Sequence, residues 1–150
     1  MRQCTLDRLK KKYGSYPLHK ASGEKNSLQD VKVLLNECDL DVNETDQNRK
    51  TSIYYASYYE NANIIQYLLS NGGREDDVRQ GTKQGKLDRL KKKYDNNKYT
   101  MHIASGKKGN LRNVKIFIEE YDFNVNAEDG DGKTGMYLAA YNDNDKIVCL

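Results

Sequence analysis

His19 and His102 are the only histidines among the 150 residues. A histidine base needs a nucleophile or a metal partner within hydrogen-bond reach. The two stand 83 positions apart, more than two of the repeats described below, so they cannot share a site. Cys4, Cys38 and Cys149 are odd in number, scattered and without metal-ligand spacing, which predicts buried or free thiols in a reducing compartment. Asp129-Gly130-Asp131-Gly132-Lys133 has the acidic look of a calcium loop. It lacks the later bidentate glutamate and the flanking helices, and a tight turn explains its glycines better. No glycine-rich phosphate loop, paired carboxylates or Ser/His/Asp set appears. The expectation is no enzyme, no cofactor and no metal.

The lysines and tyrosines could do binding chemistry. Leu6-Asp7-Arg8-Leu9-Lys10-Lys11-Lys12-Tyr13 returns 81 positions later as Leu87–Tyr94. Leu6, Leu9 and Tyr13 have helical spacing and predict a packing stripe. Lys10-Lys11-Lys12 would face outward at a helix end, where cations complement the helix dipole. The alternative is a basic patch for a polyanion. A net charge of +3 is small for nucleic-acid binding, which also needs base-stacking or groove-reading elements. The chain has 12 Tyr against 2 Phe and no Trp, so tyrosine supplies nearly all its aromatic area. Exposed tyrosines suit interface hot spots, because a ring gives apolar contact and a polar tip. Codon bias is the competing explanation. Tyr58-Tyr59 is the pair singled out, with Tyr55 expected in the core.

These residues sit on a repeated pattern. Tyr16-Pro17-Leu18-His19-Lys20-Ala21-Ser22 is followed by Val31-Lys32-Val33-Leu34-Leu35 and Asp41-Val42-Asn43. Thr51-Ser52-Ile53-Tyr54-Tyr55-Ala56-Ser57, then Ile64-Ile65-Gln66-Tyr67-Leu68-Leu69, repeats the arrangement, with Ala21 and Ala56 35 positions apart. That period predicts stacked helix–turn–helix units. Small residues let paired helices approach, and each pair must stack on neighbours to complete a core. A larger duplication contains this one: Tyr16–Tyr67 aligns with Tyr99–Leu150 at an offset of 83, so His19 meets His102 and Ala21 meets Ala104.

The expectation is one domain over 1–150 in six units: 1–13 partial, 14–45, 46–75, 76–94 short, 95–128 and 129–150 truncated. The short unit keeps a Gly85-Lys86-Leu87 turn and a second helix but almost no hairpin. Ile147, Val148 and Leu150 lack a polar cap, which predicts a fragment of a longer array. Mean hydropathy is −0.96, and no apolar run approaches the roughly 20 residues of a membrane span.

The pattern resembles the ankyrin-repeat family on Pro17-Leu18-His19, Ala21-Ser22, Leu28, Val31-Lys32, Leu34-Leu35 and Asp41-Val42-Asn43. The resemblance implies an all-α solenoid of helix–turn–helix units with projecting β-hairpin loops. It implies that His19 and His102 tie neighbouring units together, with Pro17, Ala21 and Ala104 as further structural positions. It implies non-enzymatic recognition of a partner protein through the concave face and hairpin tips. Carried onto this chain, the contact positions are Thr45, Gln47, Asn48, Lys50, Tyr58 and Tyr59 in one copy, and Lys107, Lys133, Tyr141 and Asn142 in the other. The partner expected is a protein, with no small-molecule substrate, no nucleic acid and a monomeric state, in the cytoplasm or alternatively the nucleus or a host cytosol. The rival readings are a targeting or adaptor segment of a larger protein, a polyanion-binding module using the lysine runs, and a spacer array.

Overall fold

The structure, a computed structural model, describes residues 2–94, 98–107 and 110–150. The expected boundary at Asp95 lies outside the described residues. Ten helices are described: α1 (Arg2–Tyr13), α2 (Pro17–Gly23), α3 (Leu28–Asn36), α4 (Ser52–Tyr58), α5 (Ala62–Ser70), α6 (Glu75–Lys92), α7 (Thr100–Gly106), α8 (Leu111–Glu119), α9 (Gly135–Tyr141) and α10 (Asp145–Val148). They belong to two compact units, Met1–Lys86 and Leu87–Leu150. The division falls at the first residue of the second Leu-Asp-Arg-Leu-Lys-Lys-Lys-Tyr copy. Among the described residues no helix is long and apolar enough to cross a membrane.

In Met1–Lys86, Pro17 opens α2 at its first turn, where a missing N–H costs nothing. α2 packs on α3, and α4 on α5, and α2 lies against α4. That contact is close because Ala21 and Ala56 are fully buried. The serines after them are buried too, and each bonds back to its own helix: Ser22 Oγ donates to Leu18 O (2.7 Å) and Ser57 Oγ to Ile53 O (2.8 Å). A hydroxyl satisfied this way can stand among apolar neighbours. Asn61 Nδ2 then reaches from the α4–α5 turn to Ser22 O at 2.8 Å. Leu9 and Tyr13 of α1 join Leu18, Val31, Leu34, Ile53, Ile64 and Leu68 in one core, with Leu6 packed against it. The predicted stripe of α1 is therefore the face it buries.

Leu87–Leu150 repeats these devices. Ala104 and Ala139 are fully buried, Ser105 Oγ donates to Met101 O (2.8 Å), and Asn144 Nδ2 donates to Ser105 O (2.7 Å). Its core is Tyr94, Met101, Val114, Phe117 and Ile147, with Phe123 stacked on Phe117 at 4.9 Å.

Each hairpin loop reduces to a single antiparallel bridge, Thr45 with Thr51 and Glu128 with Thr134. An aspartate organises each tip. Asp46 Oδ1 accepts from the Asn48 and Lys50 N–H groups, and Asp129 Oδ1 from those of Asp131 and Lys133, all at 2.9–3.0 Å. Asp129 is thus committed to an Asx turn. Arg49 and Gly132 take the left-handed conformation at matching places (φ 57° and 72°).

Two expectations are corrected. The Gly85-Lys86-Leu87 turn does not exist: residues 75–92 form one helix, α6. Gly81 and Gly85 are buried within it. A Cβ on Gly81 would lie 2.3 Å from Tyr54 O and 3.0 Å from Ser57 Cβ, so close seating on α4 requires glycine there. The second correction concerns the tyrosines. Tyr54 is the buried one, at the position His19 holds in the preceding repeat, and Tyr55 is only half-buried.

Candidate partner-binding surface

The buried histidines come first, because they fix the hairpin against the helices. His19 Nε2–H donates to Glu44 O at 3.0 Å, and His102 Nε2–H to Ala127 O at 2.8 Å. Each bond runs from a first helix to the foot of the next hairpin. Tyr16 and Tyr99 set their rings edge-on to His19 and His102, at 5.4 and 5.6 Å.

In Met1–Lys86 this scaffold encloses a pocket of about 430 Å³. Its walls come from three elements. α2 gives His19, Lys20 and Gly23, the hairpin tip gives Asp46, Gln47 and Asn48, and α4 gives Tyr55, with Tyr59 just beyond its end. Tyr55 and Tyr59 lie four apart, on one helical face. Gly23 lets the Tyr59 ring come close, since a Cβ there would meet two ring carbons at 3.2 Å. Tyr59 nevertheless stays 53% exposed. Lys20 and Glu24 are exposed at the pocket and put one charge of each sign on its wall.

The Tyr55 hydroxyl donates to Asp46 Oδ2, joining helix to hairpin tip. Burial pushes the Asp46 carboxyl up. The Tyr55 hydroxyl, the Lys50 and Asn48 N–H groups and the nearby His19 push harder the other way, and it ends below the usual carboxylate value. Burial and the same carboxylate raise the Tyr55 phenol. A carboxylate depressed in the folded state adds stability above its unfolded value and loses it as pH falls through the depressed one. The hairpin tip is therefore expected to loosen only below about pH 4. An NMR titration of the Asn48 and Lys50 amide shifts measures this, and Asp46→Asn removes the acid step.

The expected contact positions divide. Gln47, Asn48 and Tyr59 come together in the pocket, whereas Thr45, Lys50 and Tyr58 are not among its walls. Thr45 is exposed in the bridge. Lys50 places its ammonium 4.5 Å from the Tyr54 ring centre and is half-buried. Tyr58, expected in the exposed pair with Tyr59, is half-buried and stacks on Tyr54 at 6.3 Å. In the other unit, Lys107 and Lys133 lie over the Tyr94 and Tyr137 rings at 5.5 and 5.1 Å. Tyr141 is 76% exposed, and Asn142 bonds Leu138 O. Leu138 and Asn142 stand where Tyr55 and Tyr59 stand in the first copy, so the aromatic walls are not duplicated. Tyr16, Lys20, Glu24, Asp46 and Tyr55 were missed from the sequence. The four-residue step from Tyr55 to Tyr59 was the signal that could have found the pocket.

The lysine runs look different in place. Lys10 and Lys11 are exposed. Lys12 Nζ lies 2.7 Å from Asp30 Oδ2, and the Tyr13 hydroxyl donates to the same oxygen at 2.6 Å. Lys12 and Tyr13 hold the Asp30 carboxyl below its usual range. One cation in three is thereby given to an intramolecular pair. Among the described residues, no group of three His, Cys, Asp or Glu is placed to hold a metal ion.

A family model described as ankyrin repeats, three copies, matches residues 3–81, just over half of the chain. No curated protein matches it.

Proposed function

The chain belongs to the ankyrin-repeat family, and from that premise we propose that it recognises a partner protein through the pocket between α2, α4 and the hairpin tip at Gln47 and Asn48. Repeats of this family are generally protein–protein interaction modules and typically non-enzymatic. The observation that carries the finer reading is the half-exposed Tyr59 ring beside Tyr55, above a floor opened by Gly23. Two aromatic rings give a partner side chain apolar area at little entropic cost, and a rim of mixed charge orients it. Gln47, Asn48, Lys20 and Glu24 supply that rim. Thr45, Lys50 and Tyr58 act from beside the pocket, and Lys107, Lys133, Tyr141 and Asn142 form a separate, more polar surface in the second copy. The chain serves as a protein-binding segment, whether alone or as the targeting part of a larger assembly.

Tyr59→Ala tests this. Proteins retained from lysate by the wild type should be retained at least about tenfold less by the variant, as expected for a hot-spot ring. Circular dichroism should stay unchanged, because Tyr59 lies outside the core. Equal retention by both would reject the pocket. Retention that falls steeply with salt and ignores Tyr59 would favour the lysine runs.

A further inference from the structure

Lysine over tyrosine is a repeated contact in this chain. Among the described residues, lysine ammonium groups lie over the rings of Tyr13, Tyr54, Tyr67, Tyr94, Tyr99 and Tyr137, 4.5–5.5 Å from the ring centres. The negative face of each ring draws the cation. Tyr55 and Tyr59, the two rings that wall the pocket in Met1–Lys86, carry no cation among the described residues.

The same pocket is rich in groups that accept. Glu24 is exposed on its wall, and among the described residues its carboxylate has no ion-pair partner. Asp46 adds a second negative charge, held in place by the Tyr55 hydroxyl and by the Asn48 and Lys50 N–H groups. His19, only 4% exposed, also lines the pocket. Its Nε2–H is given to Glu44 O, which leaves Nδ1 as an acceptor, and Nδ1 has no partner. One cation, Lys20, stands against these groups on the wall. The duplicate shows that this chemistry is not required by the scaffold. Its positions matching Glu24, Tyr55 and Tyr59 hold Lys107, Leu138 and Asn142, so the charge is reversed and both rings are gone.

We propose that the pocket takes an arginine side chain of the partner protein, its guanidinium plane laid on Tyr55 and Tyr59 and its N–H groups bonded to the Glu24 carboxylate in the field of Asp46. Arginine suits this wall better than lysine, because a planar guanidinium stacks on a ring and forks onto a carboxylate at once. The assignment rests on the pocket being the partner site and names what enters it.

The test uses the full chain and the peptide acetyl-Gly-Arg-Gly-amide, beside counterparts with citrulline, lysine or glutamate in place of arginine. Citrulline keeps the length and the plane of arginine and loses the charge. Titration by NMR should give saturable shifts of the Gln47 and Asn48 side-chain amides with the arginine peptide. The citrulline peptide should bind at least about tenfold more weakly, the lysine peptide also more weakly, and the glutamate peptide not at all. Glu24→Gln, at an exposed position, should weaken arginine binding and leave citrulline binding unchanged. Tyr59→Leu should narrow the gap between arginine and citrulline, and Tyr59→Phe should keep it. No saturable shift with arginine, or citrulline or lysine binding as tightly, would overturn the assignment. If Tyr59→Ala still loses proteins from lysate, such a result removes the arginine and leaves the pocket; equal retention from lysate removes both.

Discussion

Ile53→Ala is expected to destabilise Met1–Lys86 by about 3 kcal/mol, within the range for truncating a buried aliphatic side chain. Met136→Ala, at the matching position of the duplicate, should change stability by less than about 0.5 kcal/mol. The sequence offers no reason for the contrast, since both residues are apolar and both follow the first residue of a helix. Burial decides it. Ile53 is fully enclosed by its core and by Gly73, where a Cβ would come within 2.9 Å of the Ile53 Cδ1. Truncation leaves a cavity that such packing cannot close. Met136 already gives most of its surface to solvent, so little transfer free energy is lost. Hydrogen exchange of core amides in each unit measures the two effects separately. Equal losses would mean that Met136 is covered in solution.

Gly81→Val is expected to cost about 3 kcal/mol or more, and Gly81→Ala about 1–2 kcal/mol. Two terms oppose each other in the alanine variant. Alanine is favoured over glycine inside a helix by about 1 kcal/mol. Against this, its Cβ would stand 2.3 Å from Tyr54 O, a backbone atom that cannot swing aside as a side chain can. Overpacking of that kind costs about 1–3 kcal/mol, and occasionally more. Valine adds two methyl groups and loses the propensity gain. Urea unfolding followed by exchange of the α4 amides gives the sign. If Gly81→Ala stabilised the protein, α6 would not be seated on α4, and the glycines would be mere helix weakeners. Gln80→Ala, at an exposed position of the same helix, is the control, with an expected change below about 0.5 kcal/mol.

Much of this architecture could be read from spacing alone. The fully buried Ala21, Ala56, Ala104 and Ala139 fall where the period placed small residues, and Leu6, Leu9 and Tyr13 pack as their i, i+3, i+7 spacing requires. The histidine role followed from the family resemblance rather than from spacing, and each ring is tied to a carbonyl 25 residues on. Glycine misled. Its two meanings, a place to turn and a place where no side chain fits, look alike in a sequence. Gly85 read as a turn although α6 runs straight through it. The tyrosines misled for a related reason. Tyr54, Tyr55, Tyr58 and Tyr59 offer nearly identical chemistry, and only helix phase against the hairpin sends Tyr54 inward, Tyr55 to Asp46 and Tyr59 to the pocket rim. That phase is a tertiary fact. So is the pocket, whose walls come from segments up to 43 positions apart, from Tyr16 to Tyr59.

The asparagine and histidine ties carry a consequence for how the chain acquires its shape. The longest side-chain hydrogen bonds described span 39 residues, Asn61 to Ser22 and Asn144 to Ser105, and the histidine ties span 25. Loop-closure entropy rises only slowly over such distances, and chains dominated by near-neighbour contacts fold fast. A ribosome that has released the first seventy or so residues has already delivered both ends of every tie in the first copy. That copy can reach its native pairings during synthesis, before His102 has left the ribosome.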